Sequence, residues 1–229
     1  MQRCAITLAE AFACRGFEVD LLVADTSGPM RDQIPPMLRL VPLAASSHLV
    51  SRVWAALADL RGLPVTWPLL VGACPRMVRH LPALTRYLRE TPPAALLALG
   101  TQSNLAALWA KRLSHARTRI VISELNIMSS VARHARRRFR RAYPRIARRV
   151  FPWADGIVAV SKAVAGDLAL SAALPPGRVA TIHNPAVTPQ LAEAARARLA
   201  HPWFSDGSPP VVLAAGRLHW QKDFPALLR

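Results

Sequence analysis

Short apolar runs that alternate with longer amphipathic segments constrain the fold of this chain more than any other feature. The run at residues 94–99 lies between Pro93 and Gly100, which is typical of a strand buried on both faces of a parallel sheet. Further strands are predicted at residues 17–23, 38–43, 119–122, 156–160 and 179–182, and helices at residues 48–60, 75–89, 102–113, 130–153 and 162–171. This alternation predicts an α/β fold with a doubly wound parallel sheet.

The chain begins inside a helical pattern rather than in a strand. Apolar residues at positions 5, 8, 9 and 12 share one helix face, and Gly16 suits the left-handed conformation that ends many helices. We therefore expect a first helix that ends near residue 15 and a strand directly after it.

Polar residues follow several of the predicted strands. A doubly wound sheet binds ligands at the carboxyl ends of its strands. The candidates there are Thr101, Gln102, Asn104, Ser123, Glu124, Asn126, Ser161, His183 and Asn184. Glu124 suits hydrogen bonds to ligand hydroxyls, and equally a helix cap or an arginine partner. A helix cap alone would explain Ser161, and His183 has no partner that the sequence reveals.

A second candidate site lies near the carboxyl terminus, where the apolar run 211–215 leads into Gly216 and Arg217, with Lys222 five positions later. An arginine fork and a lysine ammonium could together bind a diphosphate, although a strand followed by glycine and arginine also occurs in ordinary α/β loops. Asp223 as a cap and Pro225 in the first turn predict a helix start, which would add its own attraction for anions.

Nine arginines lie between Arg133 and Arg149, around apolar residues with helical spacing. The pattern predicts one long helix with a kink at Pro144. Its cationic face could be solvated, could dock on an anionic membrane, or could bind nucleic acid. Nucleic-acid binding is disfavoured because only Phe139 and Tyr143 could stack on bases, and Phe139 belongs to the apolar stripe.

The composition narrows the class of protein. The 229 residues carry a formal net charge of +17, and only three of the 30 basic residues are lysines. Such an excess of arginine is also typical of biased coding composition. Cys4, Cys14 and Cys74 lack the spacing of a disulfide framework or a zinc site, which favours a reduced, cytoplasmic protein. The apolar region 49–73 is interrupted by charged residues and prolines, so we expect no membrane-spanning helix.

The residues from 211 to 228 resemble the opening of the second domain in family 4 glycosyltransferases of the GT-B fold. Gly216, Arg217, Leu218 and Lys222 match the G-R-L-x-x-x-K loop of that family. Residues 158–161 and 181–185 are similar to its strand-Ser and I-x-N-P elements. Residues 122–126 occupy the place where many relatives carry a cleft histidine, and this chain has none there, so that role is not transferred.

The resemblance implies a particular domain organisation. Residues 1–186 would form the acceptor-side Rossmann-like domain without its first strand and glycine-rich loop. Residues 187–208 would be a linker, and residues 209–229 the first elements of a second Rossmann-like domain that binds the nucleotide-sugar. On this interpretation the sequence is truncated at both ends, and the chain by itself is expected to be inactive.

The resemblance also implies transfer of a sugar from a nucleotide-sugar to a glycan or lipid-linked acceptor, with retention of configuration, no cofactor and no obligatory metal. Gly216, Arg217 and Lys222 would bind the donor diphosphate, and Thr101, Glu124, Asn126 and Ser161 would line the acceptor cleft, while the catalytic residues stay unassigned. The expected location is cytoplasmic, with peripheral contact to the inner face of the membrane through residues 133–149. The alternative is a non-catalytic binding protein, either a pseudoenzyme or a basic module that associates with membrane or nucleic acid.

Overall fold

Six short parallel strands form two sheets in the computed structural model, which describes residues 2–27, 31–70, 75–197, 201–204, 209–218 and 220–228. The chain divides into two compact units, Met1–Ala186 and Val187–Arg229, and all six strands belong to the first. They are β1 (Asp20–Val23), β2 (Arg39–Pro42), β3 (Ala95–Leu99), β4 (Arg119–Glu124), β5 (Gly156–Ala159) and β6 (Val179–Thr181). β1 pairs with β2, and β3 to β6 pair in sequential order. The predicted α/β fold with parallel strands is therefore confirmed.

Helices connect these strands in the first unit. They are α1 (Gln2–Ala13), α2 (His48–Ala58), α3 (Leu63–Leu70), α4 (Leu81–Glu90), α5 (Thr101–Ser114), α6 (Met128–Arg133), α7 (Arg138–Arg141), α8 (Tyr143–Val150) and α9 (Lys162–Ser171). Short 3₁₀ turns lie at Arg31–Gln33, Leu60–Gly62, Arg76–His80 and Phe151–Trp153. The predicted end of the first helix is confirmed, because Gly16 has φ +84°. Among the described residues, no helix is long and apolar enough to cross a bilayer.

The centre of the first unit is α5, which is enclosed along most of its length. Residues 104–110 are all buried, and the helix contacts α2, α4 and β4. A helix in a folded protein gains most of its stability from such tertiary packing. Neighbouring Ile120 and Ile122 of β4 are fully buried as well. The first turn of α5 is therefore held firmly where β3 ends.

The single helix predicted for residues 130–153 is wrong. The segment forms α6, α7, α8 and a 3₁₀ turn, with breaks at residues 134–137 and at Ala142. Pro144 lies in the first turn of α8, where a missing N–H is tolerated, so it starts a helix instead of bending one. Arg141 Nε donates to the Ala135 carbonyl oxygen over 2.9 Å, which satisfies a backbone group at the break. The helical spacing of the apolar residues still predicted which side of the segment packs on the core, because Phe139, Ile146 and Val150 are buried.

A partly buried ion pair holds the corner between α2 and α3 against α8. Asp59, which ends α2, is 2% exposed and receives two hydrogen bonds from Arg149, from Nε over 2.5 Å and from Nη2 over 2.6 Å. Gly62 lies directly beside this pair. A Cβ atom on Gly62 would come within 1.9 Å of Asp59 Oδ2 and 2.3 Å of Arg149 Nε. Only glycine therefore fits at this corner without displacing the ion pair.

The second unit contains α10 (Pro189–Ala194), α11 (Phe224–Leu227) and 3₁₀ turns at Pro202–Phe204 and Trp220–Lys222. Residues 187–208, expected to be a linker, thus include a helix, and the Thr188 hydroxyl caps it by accepting from Leu191 N over 3.2 Å. The strand predicted for residues 211–215 is wrong. Val212 and Leu213 are 75% and 80% exposed. A strand is stabilised by a hydrogen-bonded neighbour, and no described segment pairs with this run.

We predict that Gly62→Ala lowers the free energy of unfolding by about 3 kcal/mol, because the new methyl group separates a carboxylate from the arginine that compensates its burial. Urea unfolding followed by circular dichroism measures the change. Gly166→Ala is the matched control, since a Cβ at Gly166 of α9 meets nothing within 4 Å. Equal stability of the two variants would contradict this description of the corner.

Candidate functional site

The carboxyl ends of β3, β4 and β5 meet at one edge of the four-stranded sheet. Leu99 pairs with Ser123, and Glu124 pairs with Ala159. The loops beyond the strands are also joined, because Gly100 N donates to the Ser123 carbonyl oxygen over 2.8 Å. Residues that the sequence places after separate strands therefore come together at this edge, as the doubly wound topology predicts.

Glu124 is the central polar group of this edge. It is 1% exposed, and the Thr101 hydroxyl lies 3.0 Å from both of its carboxyl oxygens. Leu125 N donates to Oε1 over 3.2 Å, and the backbone of Asn126 also stabilises the carboxylate. Burial nevertheless dominates and raises the pKa of Glu124 to about 7. This carboxyl group therefore exchanges its proton near neutral pH.

Neither structural role that the sequence suggested for Glu124 is observed. The N–H of Ser129 at the start of α6 is bound by Asp167 Oδ2 over 3.1 Å, so Glu124 does not cap that helix. No arginine among the described residues forms an ion pair with it. Instead it links the first residue of α5 to the loop after β4. Of the predicted acceptor-cleft residues, Asn126 is exposed, Thr101 and Ser161 are half-buried, and Glu124 is enclosed.

Ser161 caps α9, as the simpler interpretation of the sequence had it. Its hydroxyl accepts a hydrogen bond from Val164 N over 3.2 Å. His183 and Asn184 lie beyond β6 and are both exposed. His183 Nδ1 is 3.1 Å from the Val160 carbonyl oxygen, and Asn184 accepts a hydrogen bond from the Cys4 thiol of α1 over 3.3 Å. These contacts connect the end of β6 to the end of β5 and to α1.

Two buried polar side chains near this edge lack expected hydrogen bonds. Asn104 donates through Nδ2 to the Ser123 carbonyl oxygen over 3.0 Å, while its Oδ1 has no described partner. The Tyr143 hydroxyl is buried and likewise makes no hydrogen bond of standard geometry with the described residues. Such groups are uncommon in native interiors, where a buried polar atom normally finds a partner. Both groups lie in the interior, and the Asn104 side chain also helps to stabilise the Glu124 carboxylate.

The sequence analysis did not identify Tyr143 as one of the polar residues near Glu124. Burial raises its pKa to about 12, and the negative charge of Glu124 contributes in the same direction, while Arg140 and Gln102 act against the rise. The hydroxyl is thus electrostatically coupled to the carboxyl edge although it belongs to α8. The sequence did place Tyr143 beside the apolar residues of this segment, which indicates burial of its ring. A buried tyrosine hydroxyl usually has a polar partner, so a polar neighbour could have been expected.

The predicted diphosphate loop lies in the second unit. Lys222 folds back so that its Cγ, Cδ and Cε would each lie 3.3 Å from a Cβ on Gly216. Arg217 follows Gly216 directly and is exposed. The predicted helix start is confirmed, because α11 begins at Phe224 with Pro225 in its first turn and Asp223 at the cap position. The expected side-chain cap is wrong, because Asp223 has φ +43° and its carboxylate makes no cap hydrogen bond.

We predict that Glu124→Gln flattens the pH dependence of stability. The folded chain holds the Glu124 proton more tightly than the unfolded chain between the ordinary pKa of 4.5 and about 7. The stability contributed by this group is therefore complete below the lower value and is lost as the pH rises through the upper one. Urea unfolding at about pH 5 and about pH 8 should show a larger drop for the parent than for the glutamine variant.

Thr101→Val is the matched control for this experiment. It removes a hydrogen bond that lowers the pKa of Glu124 but keeps the carboxyl group, so the loss of stability should extend to higher pH. Identical pH profiles for the parent and Glu124→Gln would contradict a proton on Glu124 near neutral pH.

One comparison with known proteins finds a match, and that match covers the first unit. The sequence model of the family described as Glycosyltransferase Family 4 matches residues 1–188. A search of curated proteins finds no match. The family match covers the carboxyl edge with Thr101, Glu124 and Ser161, and it ends before the loop that contains Gly216.

Proposed function

The chain belongs to glycosyltransferase family 4, and we propose that it takes a sugar from a nucleoside-diphosphate donor and transfers it to a hydroxyl group of a glycan or lipid-linked acceptor, with retention of configuration. The proposal requires neither a cofactor nor an obligatory metal. Its chemistry separates into a part that stabilises the leaving diphosphate and a part that orients the acceptor.

The loop of Gly216, Arg217 and Lys222 is proposed to bind the donor diphosphate. The observation that carries this step is the packing of the Lys222 stem on Gly216, which keeps the lysine on the short loop that also bears Arg217. Cations fixed near a departing diphosphate stabilise the negative charge that grows in the transition state. The absence of a side chain at Gly216 leaves room both for Lys222 and for a close approach of phosphate.

The carboxyl edge of the sheet is proposed to orient the acceptor. Glu124 binds the Thr101 hydroxyl and the backbone of residues 125 and 126, so Thr101 and the backbone that carries the exposed Asn126 side chain are held in place. Hydroxyl and amide side chains such as these can form hydrogen bonds with sugar hydroxyls. Ser161, whose hydroxyl already caps α9, contributes mainly by fixing the loop after β5.

A lipid-linked acceptor at the cytoplasmic face of a membrane would place the arginine-rich segment 133–149 near anionic headgroups. The segment carries nine arginines and no acidic residue. Basic residues close to an anionic leaflet each favour binding by about 1 kcal/mol.

We predict that replacing Arg217 and Lys222 together with alanine weakens binding of UDP or GDP at least about tenfold, since hydrogen bonds to charged groups contribute about 1.5–3 kcal/mol each. Isothermal titration calorimetry on the 229-residue chain measures the affinity. The double variant Lys162→Ala/Arg196→Ala removes the same two residue types from exposed positions and should bind as the parent does. Equal affinities of the two double variants, or no binding by the parent, would contradict the proposed donor loop.

A second variant tests the packing within the loop. Gly216→Ala places a methyl group 3.3 Å from three carbons of Lys222, which is closer than ordinary van der Waals contact. The lysine stem must then move, and we expect a severalfold loss of UDP or GDP affinity with no loss of stability. Unchanged affinity would mean that the contact between Gly216 and Lys222 does not position the ammonium group.

A further inference from the structure

A cleft of about 480 Å³ opens between α3 and the helices α7 and α8, and none of its lining residues follows a strand of the sheet. Its polar lining consists of Arg138, Arg141 and Arg145. Trp67 of α3 lines the same cleft and is 61% exposed. Three guanidinium groups beside one indole ring suit a ligand that combines phosphate with apolar surface.

A row of large apolar side chains lies on the outer side of the neighbouring helix α2. Leu49, Val53 and Leu57 follow one another at intervals of four residues and are 71%, 48% and 55% exposed. The inner side of the same helix is made of small residues, Ser51, Ala55 and Ala58, which are buried. Leu60, just beyond α2, is 60% exposed and continues the apolar region. Contiguous exposed apolar residues of this kind mark an interaction surface.

The same region presents positive charge without exposed negative charge. Within residues 48–70 and 128–150 the only acidic residue is Asp59, and it is buried against Arg149. No described carboxylate forms an ion pair with the three cleft arginines. Arg141 uses one nitrogen for the Ala135 carbonyl oxygen and keeps its remaining donors. A second copy of the chain would bring like charges together, whereas an anionic surface is complementary.

We propose that this basic–apolar surface, formed by Leu49, Val53, Leu57, Leu60, Trp67, Arg138, Arg141 and Arg145, docks on an anionic phospholipid membrane. The arginines bind headgroup phosphates in the cleft, while the leucines and Trp67 enter the zone between headgroups and acyl chains. Surface-lying segments bind membranes by this combination of buried apolar area and attraction to anionic lipid. The inference deepens the lipid-linked acceptor proposed above and names the surface that meets the membrane.

The Asp59–Arg149 pair connects the two sides of this surface. It joins the end of α2, which carries the apolar row, to α8, which carries Arg145. A surface that is already ordered loses little conformational entropy when it docks.

Co-sedimentation of the 229-residue chain with vesicles of phosphatidylcholine, alone or mixed with phosphatidylglycerol, tests the proposal. No donor or acceptor is present, so failure here leaves the donor loop untouched. We expect binding only with phosphatidylglycerol. Replacing Arg138, Arg141 and Arg145 with glutamine should weaken binding about a hundredfold, or about fivefold for each arginine. The matched control replaces Arg86, Arg117 and Arg119, which are exposed outside the surface, and should weaken it far less.

A second measurement separates insertion from simple charge attraction. Vesicles with brominated acyl chains should quench the tryptophan fluorescence of the parent, and Trp67→Phe should lose most of that quenching. Equal effects of the two arginine triples, or quenching that Trp67→Phe does not change, would overturn the proposal. It would also be overturned if Leu57→Ser left vesicle binding intact and instead abolished self-association in sedimentation velocity.

Discussion

The burial of the Glu124 carboxyl group is the constraint on which the carboxyl edge of the sheet depends. The group lies between the first turn of α5 and the loop after β4, and it receives hydrogen bonds from both. Because α5 is enclosed by the core, Thr101 cannot move away from the carboxyl group without disturbing the centre of the unit. The position of Thr101 therefore follows from core packing, and the backbone that follows β4 is held beside it by the same carboxyl group.

The two halves of the proposed chemistry rest on different kinds of support. The carboxyl edge lies within the part of the chain that matches glycosyltransferase family 4, and its residues are joined by hydrogen bonds. The donor loop lies beyond that match and rests on two cations near one glycine, with a lysine stem packed against it. Family membership thus supports sugar transfer in general, while the role of Arg217 and Lys222 depends on local chemistry.

The sequence predicted the strands of the first unit because each apolar run is bounded by glycine, proline or polar residues that limit where a strand can extend. The expectation that the strand at 94–99 is buried on both faces is wrong, because β3 is an outer strand of the described four-stranded sheet and Leu97 is 40% exposed. β3 and β5 begin and end within one residue of the predicted bounds, and α9 coincides with its prediction. Failures occur where tertiary packing outweighs the local pattern. α3 contains Pro68 and was not predicted, and the apolar run 211–215 forms no strand without a neighbour.

The corner at Gly62 has a consequence for how relatives of this chain should be compared. Alanine at position 62 would collide with the Asp59 carboxylate, and lysine at position 149 could not reproduce the two parallel hydrogen bonds of a guanidinium group. Selection would therefore retain glycine and arginine at these two places even in a lineage whose coding composition drifts away from arginine. Invariance at either position in an alignment would record geometry at a helix corner, and it should not be counted as a signature of catalysis.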